Sequence, residues 1–98
     1  MGTRDRRVAE VITYLREHFP DAAVRSAKDG LTGNEVFIVQ HGATTRHVEV
    51  TKRWIEGDDA GLPLPSAIRQ WDLAREVSAL APNGTVRVGT TGFERVAG

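Results

Sequence analysis

The amino-acid sequence predicts an α+β fold, a two-layer sandwich in which both helices lie on one face of a mainly antiparallel sheet. Segments with helical and with strand periodicity follow one another in the order α-β-β-β-α-β. Two helices that each carry one apolar stripe cover only one face of a three- or four-stranded sheet. The 98 residues are expected to form one domain, residues 1–98, because so short a chain has no room for two hydrophobic cores.

The first helix is predicted from about Asp5 to Phe19. Pro20 ends it, because proline has no N–H group and disfavours the helical conformation of the preceding residue. Apolar residues recur within the helix at the i, i+3, i+4 and i+7 spacing of an amphipathic helix, and they are Val8, Val11, Ile12 and Leu15. These side chains are expected to face the core.

Three strands are expected to follow this helix. The first covers residues 22–28 and leads into a glycine-rich turn over residues 29–34. The second covers residues 35–41, a segment that is too short and too rich in β-branched residues for a helix. The third covers residues 46–54, where polar and apolar residues alternate as they do in a half-buried strand.

The hairpin formed by the second and third of these strands has a predicted register. With its turn centred between residues 43 and 44, Val39 faces Val48 and Phe37 faces Val50. These four side chains then share the inner face of the sheet, toward the helices. The residues between them point to the opposite, outer face, because side chains alternate along a strand.

A second helix is predicted from about Pro65 to Leu80, after an irregular linker over residues 57–65. Its apolar residues have the spacing of a buried helix face, and they are Ile68, Trp71, Ala74, Val77 and Leu80. A turn then leads to a strand over residues 85–88, with a short partner strand over residues 93–96.

The composition excludes several classes of function. The chain carries 13 basic and 13 acidic side chains, so it has no net charge to attract nucleic acid or an anionic membrane. It has no cysteine, which removes disulfides, thiolate metal sites and cysteine nucleophiles. No apolar run approaches the roughly 20 residues that span a bilayer, and the N-terminal residues lack the apolar stretch of a signal peptide. We expect a soluble cytoplasmic protein that does not associate with membranes.

No motif of a catalytic, cofactor or metal site is found in the sequence. His41 and His47 are expected on opposite faces of their strands, so they cannot bind one ion together. Glu56, Asp58 and Asp59 lack the spacing of a calcium-binding loop. No serine stands in a motif that would supply a base. We therefore expect a non-enzymatic protein without a cofactor.

The element order α-β-β-β-α, over about residues 5–80, resembles the double-stranded RNA-binding domain. This resemblance implies a lysine-rich cluster at the start of the second helix, where it would grip phosphates. In this sequence residues 61–66 read Gly-Leu-Pro-Leu-Pro-Ser, and no basic residue follows them before Arg69. The phosphate-binding motif of that family is missing here.

The order α-β-β-β-α-β also resembles the core of restriction-endonuclease-like nucleases. That resemblance implies an aspartate on one strand and a Glu-x-Lys motif on the next, which together hold magnesium. The sequence offers Asp21 and then Glu49 and Lys52. Glu49 and Lys52 are one residue further apart than the motif requires, so in an extended strand their side chains point to opposite faces.

The outer face of the predicted sheet is the candidate functional surface. The second strand is apolar on both of its faces, so it places aliphatic side chains among the polar groups of its neighbours. Apolar centres with a charged rim are typical of protein interaction sites. The residues assigned to this interaction face are Arg25, Val36, Ile38, Gln40, His47, Glu49, Thr51 and Arg53. We expect a protein partner, or a weak homodimer, at this face.

A nucleic-acid-associated domain, or a degenerate nuclease-like domain, is the alternative. It would bind through the basic residues at the N-terminus and around the third strand, which are Arg4, Arg6, Arg7, Arg46, Lys52 and Arg53. Clustering of these side chains in space is the feature that discriminates the two hypotheses.

Overall fold

A five-stranded mixed sheet carries helices on one face, which confirms the predicted α+β class and element order. The computed structural model describes residues 3–56, 68–89 and 92–96. The elements in chain order are α1 (Thr3–His18), β1 (Ala23–Lys28), β2 (Glu35–His41), β3 (Thr44–Val50), α2 (Lys52–Ile55), α3 (Leu73–Ala79), β4 (Thr85–Gly89) and β5 (Gly92–Val96).

The strands lie in the sheet in the order β1-β2-β3-β4-β5. Neighbouring strands are antiparallel except β3 and β4, which are parallel. A parallel pair needs a crossover connection, and here α2 and α3 belong to it. The sheet has five strands rather than three or four, because residues 92–96 pair fully with β4.

The β2–β3 hairpin has a register shifted by two residues from the predicted one. Phe37 pairs with Val48, and Val39 pairs with Arg46. The turn consists of Gly42 and Ala43, because His41 pairs with Thr44, and Gly42 has a φ of +61°. Two-residue hairpin turns of this kind require a positive φ, which glycine adopts at no steric cost. A shift of two residues keeps each side chain on its predicted face, so the assignment of inner and outer residues survives.

The third strand ends at Val50, and the prediction that it continues to Trp54 is wrong. Residues 52–55 form the short helix α2 instead. The N–H of Lys52, at its start, donates a hydrogen bond of 2.8 Å to Oδ1 of Asn34. Trp54 and Ile55 are both buried, which adjacent residues of a half-exposed strand could not be. Helical geometry at this point buries two large side chains in succession.

The predicted single helix over residues 65–80 is interrupted. Residues 57–67 lie outside the described part of the chain, and residues 68–70 form a helical turn. Asp72 then takes the left-handed conformation, with φ 54° and ψ 61°, and α3 begins after it. A left-handed residue cannot continue a right-handed helix, so the chain changes direction there.

The core lies between the helices and the inner face of the sheet, which confirms that both predicted helices cover the same face. Its buried hydrophobic residues are Val11, Tyr14, Leu15, Val24, Phe37, Val39, Val48, Val50, Trp54, Ile55, Ile68, Leu73, Ala74, Val77, Leu80, Val86 and Val88. At one end of the sheet the Trp71 ring lies between two others, with centroid distances of 5.6 Å to Trp54 and 5.6 Å to Phe93.

A buried hydrogen bond joins α1 to α3. The backbone N–H of Ala74 donates to the hydroxyl oxygen of Tyr14 over 2.9 Å. Asp72 occupies the residue before α3 but makes no side-chain hydrogen bond to cap the helix. Tyr14 therefore supplies, from another helix, the acceptor that an N-terminal capping residue normally provides.

Candidate functional site: the outer sheet face

The outer face is the side of the sheet opposite α1 and α3. No helix in residues 3–56, 68–89 and 92–96 lies on it, since the core and its helices are all on the inner side. Antiparallel pairing and the β3–β4 register place every second residue of each strand on this face. Its residues are Ala23, Arg25, Ala27, Val36, Ile38, Gln40, Thr45, His47, Glu49, Thr85, Arg87, Gly89, Gly92, Glu94 and Val96.

The register aligns the centre of the outer face in two rows that cross all five strands. We call them the His47 row and the Glu49 row. From β1 to β5, the His47 row contains Arg25, Ile38, His47, Thr85 and Val96. The Glu49 row contains Ala27, Val36, Glu49, Arg87 and Glu94. Each row thus has an aliphatic residue on β2 and a titratable residue on β3.

Val36 and Ile38 form the aliphatic part of this face. Both are partly exposed, although they lie in the second strand of a five-stranded sheet. Their neighbours on β3 are polar, since Glu49 pairs with Val36 and His47 pairs with Ile38. Two adjacent aliphatic side chains with a charged rim are the arrangement that the sequence predicts for this surface.

One of the residues assigned to the interaction face lies elsewhere. Arg53 is in helix α2 rather than on a strand, because the alternation of the third strand ends at Val50 and not at residue 54. Thr51 follows the end of β3, where its N–H donates a hydrogen bond of 3.1 Å to the carbonyl of Val88. Its Cγ2 lies 3.8 Å from the point where a Cβ on Gly89 would stand, and Gly89 belongs to the outer face, so Thr51 lies beside that face.

An ion pair between Glu49 and Arg87 lies in the middle of the Glu49 row. Nε of Arg87 donates to Oε1 of Glu49 over 2.6 Å. The hydrogen bond and the charge of Glu49 hold the pKa of the Arg87 guanidinium above its ordinary value, and Glu94 adds to this effect. Arg87 could not be assigned to the site from the sequence, because only the parallel pairing of β4 with β3 brings it beside Glu49.

The two strand histidines lie on opposite faces, as expected from their positions. His47 is on the outer face, and His41 has the parity of the inner face at the exposed end of β2. Among the described residues no group of three or more His, Asp or Glu side chains is placed to hold a metal ion. Asp58 and Asp59, of the acidic loop, lie outside the described residues.

The residues of the nuclease resemblance are far apart along the sheet. Glu49 is level with Ala27, because both pair with Val36. Asp21 lies before the start of β1 at Ala23, which is four residues from Ala27. Four residues of strand span about 13 Å. The two carboxylates are therefore near opposite ends of the sheet, too far apart to share one ion.

Several of the basic residues considered for nucleic-acid binding make contacts inside the domain. Arg4 pairs with Glu35 over 2.8 Å and with Glu56 over 2.9 Å. Arg7 donates to the carbonyl of Trp54 over 3.2 Å, which also joins α1 to α2.

Arg46 points inward from β3 in a similar way. Its Nε donates to the carbonyl of Leu80 over 2.9 Å, at the end of α3. Arg4 and Arg7 therefore lie with Lys52 around α2, in contacts within the domain, whereas Arg46 lies at the end of α3.

Comparisons of this chain with models of protein families, with curated proteins and with solved structures give no match. Within the part of the chain that the structure describes, no helix is long and apolar enough to cross a membrane.

Proposed function

We propose that the protein is a non-enzymatic interaction module that binds another protein chain through its outer sheet face. The observation that supports this proposal is the partly exposed pair Val36 and Ile38, which lies among charged side chains on a rigid sheet. Rigid scaffolds lose little entropy when they bind, so a small patch on a sheet contributes more affinity than the same patch on a loop.

The dimensions of the face indicate a weak or transient complex. Five strands spaced about 4.8 Å apart, each about five residues long, give a surface of roughly 20 by 15 Å. A stable complex buries about 800 Å² on each partner, which is more than such a surface offers alone. The partner is therefore expected to dissociate readily.

The contacts of the arginines favour a protein partner over nucleic acid. Nucleic-acid binding requires guanidinium and ammonium groups that are available to phosphates. Arg4 is engaged by two carboxylates, and Arg87 on the outer face is engaged by Glu49. The absence of net charge agrees with this interpretation.

We propose a cytoplasmic location for this interaction, because a chain without cysteine uses none of the disulfides that are frequent in small secreted domains.

The test compares two single lysine substitutions, Ile38→Lys on the outer face and Leu31→Lys in the β1–β2 loop. Leu31 is 99% exposed, so its variant introduces the same charge away from the sheet. Both variants are expected to fold, because lysine at position 38 can extend its ammonium group to water. Proteins that the wild type and Leu31→Lys capture from a lysate, measured by quantitative mass spectrometry, should be lost with Ile38→Lys. The concentration dependence of sedimentation provides the second readout for the same variants.

Two outcomes would contradict the proposal. If Ile38→Lys unfolds the domain, Ile38 belongs to a covered core and the outer face is not available. If it folds but binds the same proteins and sediments as the wild type does, the face carries no interaction. Binding of single- or double-stranded nucleic acid by the wild type, with affinity that Ile38→Lys leaves unchanged, would support the nucleic-acid alternative instead.

A further inference from the structure

We infer that the outer face binds a second copy of this chain, about a two-fold axis that crosses β3 at right angles to the strands, between His47 and Glu49. The inference rests on the proposed function and names the partner. It follows from the order of side chains in the His47 and Glu49 rows. On the three central strands β2, β3 and β4, that order is complementary to itself in one symmetric arrangement and opposed to itself in the other.

In a symmetric face-to-face dimer the two-fold axis lies in the plane between the two sheets, because each copy presents the same surface. The axis then runs either along the strands or across them. Packed sheets in sandwiches are aligned to within about 30°, so these two directions represent the arrangements to compare. Side chains near the axis keep their partners even when the sheets are rotated by that amount.

An axis along β3 brings like groups together. Each β3 side chain then meets its own copy, so His47 faces the partner's His47 and Glu49 faces the partner's Glu49. β2 lies over β4 of the other copy, since these strands are on either side of β3. Val36 consequently meets the guanidinium of the partner's Arg87, because both are in the Glu49 row. Facing like charges and burying an aliphatic group against a charge both oppose association.

An axis across the strands brings complementary groups together. Each strand then lies over its own copy, and the His47 row exchanges places with the Glu49 row. His47 faces the partner's Glu49, and the symmetry forms this contact twice. Ile38 faces the partner's Val36, so the aliphatic pairs of the two copies pack on each other and are removed from water. Thr85 faces the partner's Arg87, and the Thr85 hydroxyl can accept a hydrogen bond from that guanidinium.

The intramolecular ion pair is compatible with this dimer. Nε of Arg87, on the neighbouring strand β4, donates to Oε1 of Glu49. A carboxylate accepts several hydrogen bonds through its two oxygens, so it can also accept one from the partner's His47 above the sheet. A buried carboxylate with two cationic or polar donors is better compensated than one with a single donor.

The experiment is a charge exchange between two variants, His47→Glu and Glu49→Lys. By itself, His47→Glu places a new glutamate against the partner's Glu49. Glu49→Lys by itself places a new lysine against the partner's His47. Each change occurs twice across the axis, so the association constant from sedimentation equilibrium should fall about tenfold or more. An equimolar mixture should regain dimer, because a heterodimer opposes the new glutamate to the new lysine. Arg16→Glu, a charge reversal at an exposed α1 position, is the control and should associate as the wild type does.

An axis along the strands would also let the mixture regain dimer, because it would oppose the new glutamate to His47 and the new lysine to Glu49. A third variant distinguishes the two axes, and it also covers the case in which Glu49→Lys does not fold beside Arg87. Thr85→Glu places a carboxylate opposite the partner's Arg87 and should raise the association constant severalfold. An axis along the strands would instead bury that carboxylate against the partner's Ile38 and lower it. Thermal melts of every variant verify that it is folded.

The outcomes separate this inference from the proposed function. A wild type that is monomeric at every accessible concentration overturns the homodimer. If Ile38→Lys still loses captured proteins in that case, the outer face remains a protein-binding surface for another chain. A wild type that dimerises while the mixture of charge variants regains no dimer overturns the arrangement with His47 over Glu49.

Discussion

Removal of one buried oxygen should weaken the contact between two helices. Tyr14 is 1% exposed, and its hydroxyl accepts the Ala74 N–H bond over 2.9 Å near the start of α3. Tyr14→Phe removes that acceptor and keeps the ring in the core. The Ala74 N–H then lies buried without its partner, and Asp72 makes no side-chain cap that could replace it.

The expected loss of unfolding free energy can be worked from the cost of an unsatisfied buried donor and from the cost of a lost helix cap. A buried donor left unsatisfied costs about 1–3 kcal/mol. Loss of an N-terminal cap costs about 0.5–2 kcal/mol. We expect Tyr14→Phe to lower the free energy of unfolding by about 1–2 kcal/mol, where the two ranges overlap. In a domain of about this size, each kcal/mol lowers Tm by about 4–8 °C.

Urea unfolding followed by tryptophan fluorescence measures this change. The midpoint should fall at constant m-value, because the surface exposed on unfolding is nearly the same in both proteins. Thr13→Ala is the control, since Thr13 is exposed on the same helix and its variant should stay within about 0.5 kcal/mol of the wild type. If the Tyr14→Phe protein is as stable as the wild type, the Tyr14 hydroxyl contributes nothing to the contact between α1 and α3.

The decline of the free energy of unfolding at alkaline pH provides a second readout for the same variant. Burial raises the pKa of the Tyr14 phenol above its ordinary value of 10.0, although the Ala74 hydrogen bond opposes this shift. Above pH 10 the unfolded chain loses this proton more readily than the folded protein does. The stability that the protonated Tyr14 phenol contributes is therefore complete below the pKa of this group in the unfolded chain. It is lost as pH rises through the pKa of the group in the folded protein. Tyr14→Phe should lack this part of the alkaline decline, and because the chain has one tyrosine, its absorbance titration reports the phenol directly.

Two further predictions concern the core and metal ions. Leu15 is fully buried, so Leu15→Ala should lower the free energy of unfolding by about 2–5 kcal/mol, and an unchanged urea midpoint would contradict the assignment of the inner face of α1. EDTA, zinc and magnesium should each leave Tm unchanged, because only a ligand that binds the native state raises it, and a saturable shift at micromolar metal would reveal a site.

The outer face could be predicted in part from the sequence. Val36, Ile38, His47 and Glu49 were assigned correctly to it, because side chains alternate along a strand whatever the register is. Even the two-residue error in the hairpin kept each of them on its face. Arg53 was misassigned, because the same alternation pattern continued past the point where the backbone becomes helical.

Local patterns in the sequence determined the α+β class, the first helix, the hairpin and the faces of its strands. These features depend on the spacing of apolar side chains within one segment, and that spacing is readable from the residues themselves. Only the tertiary structure decided that β4 lies parallel to β3, that Asp72 interrupts the second helix, and that Arg87 pairs with Glu49. These features depend on which distant segments bury one another. That pairing is stabilised by contacts between residues far apart in the chain. Glu49 and Arg87, for example, are 38 positions apart, and no local pattern records such a contact.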